Sequence, residues 1–176
     1  MPFLPAARKP TSWRRPLGRA AFTLIELLAV IAVILVIATF TIPRLIRSRM
    51  VANEDAAVSA LRTLGSANMI YWNSYQQGYA PSLAALAPPT GGGPPSASSA
   101  DLIDAVLAGG TRGGYTYIYA AVDTNGNGQF DLFTINANPL SPGISGQRYF
   151  FVDQSHVVRF EVGGPANASS QPIPPM

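Results

Sequence analysis

The sequence predicts an α+β fold: a long N-terminal helix, membrane-spanning over its first half, packed against a small antiparallel β-sheet. Three observations predict it. Residues 22–42 read FTLIELLAVIAVILVIATFTI, apolar on every side with one charge, Glu26. The following stretch is amphipathic, with Ala57, Leu61, Leu64, Tyr71 and Tyr75 recurring near 3.6-residue spacing. The C-terminal half carries four short runs rich in β-branched and aromatic residues, bounded by Gly, Asn and Pro.

Composition narrows the chemistry. The chain has 176 residues, one His and no Cys, so disulfides, thiolate zinc sites, cysteine nucleophiles and multi-histidine metal sites are excluded. Its length suits one domain of ordinary size. The net charge of +3 conceals a segregation. Arg8, Lys9, Arg14, Arg15 and Arg19 stand in residues 1–21 with no acid, and Arg44, Arg47 and Arg49 form a second cluster. From residue 51 onward only Arg62, Arg112, Arg148 and Arg159 face eight acids. A nucleic-acid binder carries its basic patch on the folded part, so no nucleic-acid partner is expected.

Residues 1–21 read as a basic leader and residues 22–43 as the spanning helix. The apolar run measures about 31 Å at 1.5 Å per residue, enough to cross a hydrocarbon core. The five leader charges favour a cytoplasmic N-terminus. A secretory signal peptide is disfavoured, because the small residues Ala20 and Ala21 precede the apolar core and Pro43-Arg44-Leu45-Ile46-Arg47 follows it. Glu26 is the oddity. A carboxylate at the bilayer centre costs about 2.5–3.5 kcal/mol. Either Glu26 sits at the helix start, where the dipole favours an anion, or it has a specific partner in an assembly.

Residues 44–77 continue the helix as its amphipathic half. Pro43 is expected to bend or loosen it, and Gly78 to end it with Pro81 beyond. Residues 78–162 hold a connection and the sheet. Within them, 87–100 (APPTGGGPPSASSA) read as an exposed low-complexity loop, and 101–107 as one or two helical turns stopped by Gly109 and Gly110. Strands are expected over 115–122, 131–137, 148–153 and 157–162, with a tight turn at 153–156. Residues 163–176 are rich in Pro, Ser and Ala and are expected to be a disordered tail.

The run Ala21-Phe22-Thr23-Leu24-Ile25-Glu26-Leu27-Leu28, behind a short basic leader, resembles the N-terminal signal of type IV pilins and type II secretion pseudopilins. The resemblance is specific over residues 18–49 and weaker over 50–162, where it lies in the order of elements. There, Gly146-Gln147-Arg148-Tyr149-Phe150-Phe151-Val152-Asp153-Gln154-Ser155 resembles the terminal hairpin of pilin-like proteins. It implies that a prepilin peptidase cuts between Ala21 and Phe22 and methylates the new amine. Glu26 then becomes the fifth residue of the processed chain, and Pro43 falls where the family often has proline. One departure is Ala21, where the family usually has Gly. The resemblance further implies a single pass through the inner membrane, with a periplasmic C-terminal domain. It implies a helical filament of copies of itself or related pilins, in which the Phe22 amine meets Glu26 of a neighbour. Pairing would relieve the cost of burying either charge alone and fix the axial register.

Only one segment looks like a metal site. In Asp123-Thr124-Asn125-Gly126-Asn127-Gly128-Gln129-Phe130-Asp131, Asp123, Asn125 and Asn127 copy the first half of a calcium loop, and Gln129 and Asp131 extend the candidate set. Position twelve is Thr134, not the bidentate Glu of an EF-hand. The competing reading is a hairpin loop, because Asn-Gly is a strong hairpin signal and occurs twice. Major pseudopilins bind calcium in a loop of their sheet domain. His156 reads as a surface turn residue. Tyr115, Tyr117 and Tyr119 read as core packing. The cluster Arg44, Arg47 and Arg49 reads as a headgroup contact and, after assembly, a partner for Glu54 or Asp55 of a neighbour.

The expected function is that of a structural, non-enzymatic subunit of a pilus-like filament or a secretion pseudopilus. The lack of Cys and the loop at 123–131 lean to the pseudopilus, and the low-complexity loop and long tail to the pilus. The alternative is a bitopic, membrane-anchored periplasmic binding module that never polymerises. A membrane-tethered hydrolase lacks any catalytic constellation.

Overall fold

The computed structural model describes residues 22–174. The leader at 1–21, with Ala21, and residues 175 and 176 lie outside them. The chain divides into two compact units, Met1–Phe40 and Thr41–Met176.

The first unit contains the start of helix α1, Leu24–Tyr75. Thr23 caps it. Its hydroxyl accepts the Glu26 N–H at 3.2 Å, and its carbonyl accepts the N–H groups of Glu26 and Leu27. This is one half of a capping box, Thr-x-x-Glu, which ties down an N–H that a helix start leaves open. The apolar stretch is long and apolar enough to cross a membrane, and none of it is buried in the single chain. Leu24, Ile25, Leu27, Ile34, Leu35 and Phe40 are all more than half exposed.

In the second unit α1 continues without interruption from Pro43 onward. Pro43 has no N–H for the Thr39 carbonyl, yet the expected loosening does not end the helix. Beyond it Glu54, Ala57, Val58, Leu61, Leu64, Asn68 and Tyr71 are buried along one face, the spacing of an amphipathic helix on a core. The helix stops two residues short of the expected 77. Gln76 turns left-handed (φ 52°) and Gly78 follows suit (φ 82°).

Two single-turn helices lead to the sheet. In α2, Leu83–Leu86, Ser82 caps the start. In α3, Ala105–Ala108, Asp104 accepts the Leu107 N–H at 3.0 Å and pairs with Arg112 at 2.6 Å. The Leu107 N–H and then the Arg112 guanidinium hold the Asp104 carboxyl below its ordinary range.

The sheet is a six-stranded antiparallel meander in chain order: β1 Thr111–Arg112, β2 Tyr115–Val122, β3 Leu132–Pro139, β4 Arg148–Asp153, β5 Arg159–Val162 and β6 Gln171–Pro172. Alternation decides its two faces. One row, Tyr117, Ala137, Phe150 and Phe160, crosses β2 to β5 on the side of the helix. With Tyr115, Phe133, Ile135 and Val152 it packs on Leu61, Leu64 and Tyr71 of α1, and Leu86 and Leu107 close the core. The adjacent row, Ile118, Asn136, Phe151 and Arg159, belongs to the opposite face.

The tail corrects the sequence reading of 163–176. Through residue 174 it is ordered against that opposite face rather than disordered. Ala166 and Ser170 are buried, the Asn136 amide donates to the Ala166 carbonyl at 2.7 Å, and Arg159 donates to the Ser170 carbonyl at 3.1 Å. The Ile173 N–H reaches the Val158 carbonyl at 2.9 Å. Polar composition alone suggested disorder. Asn167 and Ser170 bond back to their own main chain and build a turn that such composition can hold.

Candidate functional site

Two predicted positions lie at the start of α1. Phe22 is exposed just before the Thr23 cap, and Glu26 stands in the first turn. Ala21 lies outside the described residues. Pro43 lies further along α1, in the second unit. Among the described residues Glu26 forms no ion pair.

The 123–131 loop connects β2 to β3 and is closed by its own groups. Asp123 Oδ1 accepts the N–H groups of Asn125 (3.1 Å) and Gly126 (2.7 Å), and Oδ2 accepts that of Gly128 (2.8 Å). Gly126 and Gly128 adopt positive φ, 72° and 82°, to aim those N–H groups inward. Asn125 and Asn127 accept the N–H two residues on, at 3.1 and 2.8 Å. Asp131 Oδ2 accepts the Thr124 hydroxyl at 2.8 Å and the Asn125 amide at 3.2 Å. The Gly128 N–H, then those of Gly126, Asn125 and Asn127, hold the Asp123 carboxyl below its ordinary value. All five predicted side chains thus share one loop, and all offer oxygen, the donor calcium takes. Only two are carboxylates. Among the described residues no group of three His, Cys, Asp or Glu gathers.

The most constrained charged site was not foreseen. Glu54 is buried at 6% exposure. Its Oε1 accepts the N–H groups of Gln147 (2.8 Å) and Arg148 (3.2 Å), and its Oε2 accepts Arg148 Nε at 2.6 Å. The Arg148 guanidinium also lies 5.5 Å from the Phe150 ring centre and 5.7 Å from that of Phe160. One residue earlier, the Asn53 amide donates to the Ser145 carbonyl at 2.9 Å. Asn53 and Glu54 together clamp the β3–β4 loop to α1. Glu54 is therefore committed within its own chain, which corrects its expected pairing with a neighbour's arginines. Exposed Asp55 keeps that role open. The clamp joins residues more than ninety positions apart, so no local spacing announces it. The Thr23 cap, by contrast, was readable from Thr-x-x-Glu.

His156 is exposed, turns left-handed (φ 58°) and sits edge-on to Phe133 at 6.0 Å. Tyr115 and Tyr117 are buried, and Tyr119 hydrogen-bonds Asn68 and the Ala80 carbonyl at 2.8 and 2.6 Å. The aromatic stripe is core. Set against family models, curated proteins and solved structures, the chain matches none.

Proposed function

We propose that this chain is a non-enzymatic subunit of a type IV pilus-like filament or type II secretion pseudopilus, processed by a prepilin peptidase between Ala21 and Phe22. One observation carries the reading: an all-round apolar, unburied helix with a single carboxylate, Glu26, in its first turn, continuing into a helix face that carries a sheet. An apolar surface of that size needs a membrane or other helices around it. On this reading the subunit waits in the inner membrane with its sheet unit in the periplasm, then joins copies of itself or related pilins. The Phe22 amine of one copy neutralises Glu26 of the next. The 123–131 loop is the candidate calcium position.

A second reading, a membrane-anchored binding module that does not polymerise, gains from the Thr23 cap, which gives the Glu26 position a purely local role. Two measurements decide. The intact mass of protein extracted from membranes should correspond to a chain starting at Phe22 with a methylated amine. Glu26→Gln should insert normally and fail to form filaments. A mature chain retaining residues 1–21 refutes the processing. Wild-type filaments from Glu26→Gln refute the pairing, since the Thr23 cap uses only the Glu26 main-chain N–H.

A further inference from the structure

At the C-terminal end of α1 a cleft of about 260 Å³ opens between the helix end and the β2–β3 loop, lined by Trp72, Asn73, Gln76, Gly78 and Gln129. Its chemistry is narrow: one indole, three carboxamides and no charge. From this we infer that the cleft is a binding site for a single neutral sugar ring.

The indole is held ready. Trp72 is 38% exposed and meets Tyr79 edge-on, with ring centres 4.7 Å apart. Tyr79 in turn meets fully buried Phe133 edge-on at 4.7 Å. This ladder runs from the core to the surface and fixes the orientation of the ring. The lip is equally fixed. Gln76 takes a left-handed backbone, uncommon for a residue with a side chain and frequent at ligand sites. A Cβ on Gly78 would lie 2.6 Å from the Phe130 nitrogen, so only glycine lets the loop approach the helix end. The Tyr79 N–H closes that approach on the Phe130 carbonyl at 2.8 Å.

Among the described residues the Asn73, Gln76 and Gln129 carboxamides have no hydrogen-bond partner, which leaves them for a ligand. Gln76 is tied by its main-chain N–H to the Trp72 carbonyl at 2.9 Å, and Gln129 by its main-chain N–H to Asn127 Oδ1 at 2.8 Å. Each carboxamide offers two donors and an acceptor, the match for hydroxyl groups that both give and accept. The indole offers an apolar face with a polar N–H, the match for the C–H face of a pyranose. A lining without charge gives nothing to a phosphate, a carboxylate or a cation. The volume lies below the ~300–1,000 Å³ of drug-sized sites, which points to one ring rather than an extended chain. The 123–131 loop thereby gains a use that needs no metal: its turns present Gln129. The inference holds whether or not the chain polymerises.

The test uses the full chain in lipid nanodiscs, which avoids sugar-headed detergents. The sequence has two tryptophans, Trp13 and Trp72, so Trp13→Phe leaves Trp72 as the only reporter. Methyl glycosides of glucose, galactose and N-acetylglucosamine are titrated, with glucuronate as the charged control and triglycine amide as the peptide control. At least one neutral glycoside should give a saturable change in Trp72 emission, with a dissociation constant on the order of 1 mM, as expected for one ring in an open cleft. Asn73→Ala and Gln129→Ala should each weaken it about tenfold and leave the melting temperature unchanged, since both side chains are exposed. No saturable response at ten times that concentration overturns the inference. So does equal affinity in both variants, or binding of the peptide or glucuronate in place of the neutral sugars.

Discussion

Removing the Glu54 carboxylate should release the β3–β4 loop from α1 and destabilise the sheet unit. In Glu54→Ala two main-chain N–H groups, of Gln147 and Arg148, lose their acceptor, and the Arg148 guanidinium loses its counter-charge. A buried donor left unpaired costs about 1–3 kcal/mol, and breaking a fully buried ion pair about 3–5 kcal/mol. Those costs overlap, and the Arg148 side chain is 33% exposed, so it regains part of its hydration. The net loss should be about 3 kcal/mol, or roughly 10 °C in melting temperature for a unit of this size. Near-ultraviolet circular dichroism of the full chain in nanodiscs reads the melt of the buried tyrosines. Glu54→Gln keeps an acceptor for the N–H groups and should lose less. Asp55→Ala, one position along and exposed, should stay within about 0.5 kcal/mol of the wild type. A Glu54→Ala melt no lower than that of Asp55→Ala would refute the clamp.

A Cβ at Gly146 would collide with the hydroxyl of buried Tyr115, which cannot retreat because it donates to the Arg148 carbonyl at 2.9 Å. Gly146→Ala should therefore cost about 2–3 kcal/mol by urea denaturation, while Gly93→Ala, with nothing near it, should cost almost nothing. Burial pushes the Tyr117 hydroxyl up to about 12, partly opposed by Arg112. Burial, followed by the Glu54 charge, pushes Tyr115 higher still. Folded values above the unfolded ~10 mean that this stability is complete below pH ~10 and is lost as pH rises toward 12. Tyrosinate absorbance should rise in two stages, the second together with unfolding; a single stage near pH 10 with the fold intact contradicts this. Calcium at ten times a dissociation constant of ~10⁻⁴–10⁻³ M should stabilise the chain by ~1.4 kcal/mol, magnesium should not, and Asp123→Ala should abolish the effect. If calcium moves neither the melting temperature nor the amide resonances of the loop, Asp123–Asp131 is a hairpin connection and nothing more.

The long helix and strands β2 and β4 were legible because their signals are periodic. Leu61, Leu64 and Tyr71 announce the buried face by spacing alone, and β2 and β4 fall where expected, at Tyr115–Val122 and Arg148–Asp153. β3 runs to Pro139 rather than 137, because pairing with Tyr115 carries the ladder past the last apolar residue. β1 was missed: a two-residue strand has no period, and Thr111 and Arg112 pair only because Gly113 and Gly114 turn the chain back (φ 59° and 78°). The tail was misread because its order comes from Asn136 and Arg159 on distant strands. Of the sites, the five side chains at 123–131 were legible as one loop. The Glu54 clamp and the Trp72 cleft were not, since each joins the helix to residues far along the chain.

The two outermost strands have a consequence for how copies of this chain can meet. Each is two residues long. β1 is followed at once by two glycines, and β6 ends in Pro172, which has no N–H to offer, with Pro174 just beyond. An open row of main-chain donors and acceptors invites another sheet to extend it, and shortness and proline both remove the invitation. Two such molecules brought side by side could otherwise pair through those rows. Where β1 covers Tyr115 and Thr116 and β6 covers Arg159 and Phe160, the sheet offers a second copy no strand to extend, and any contact there falls to side chains.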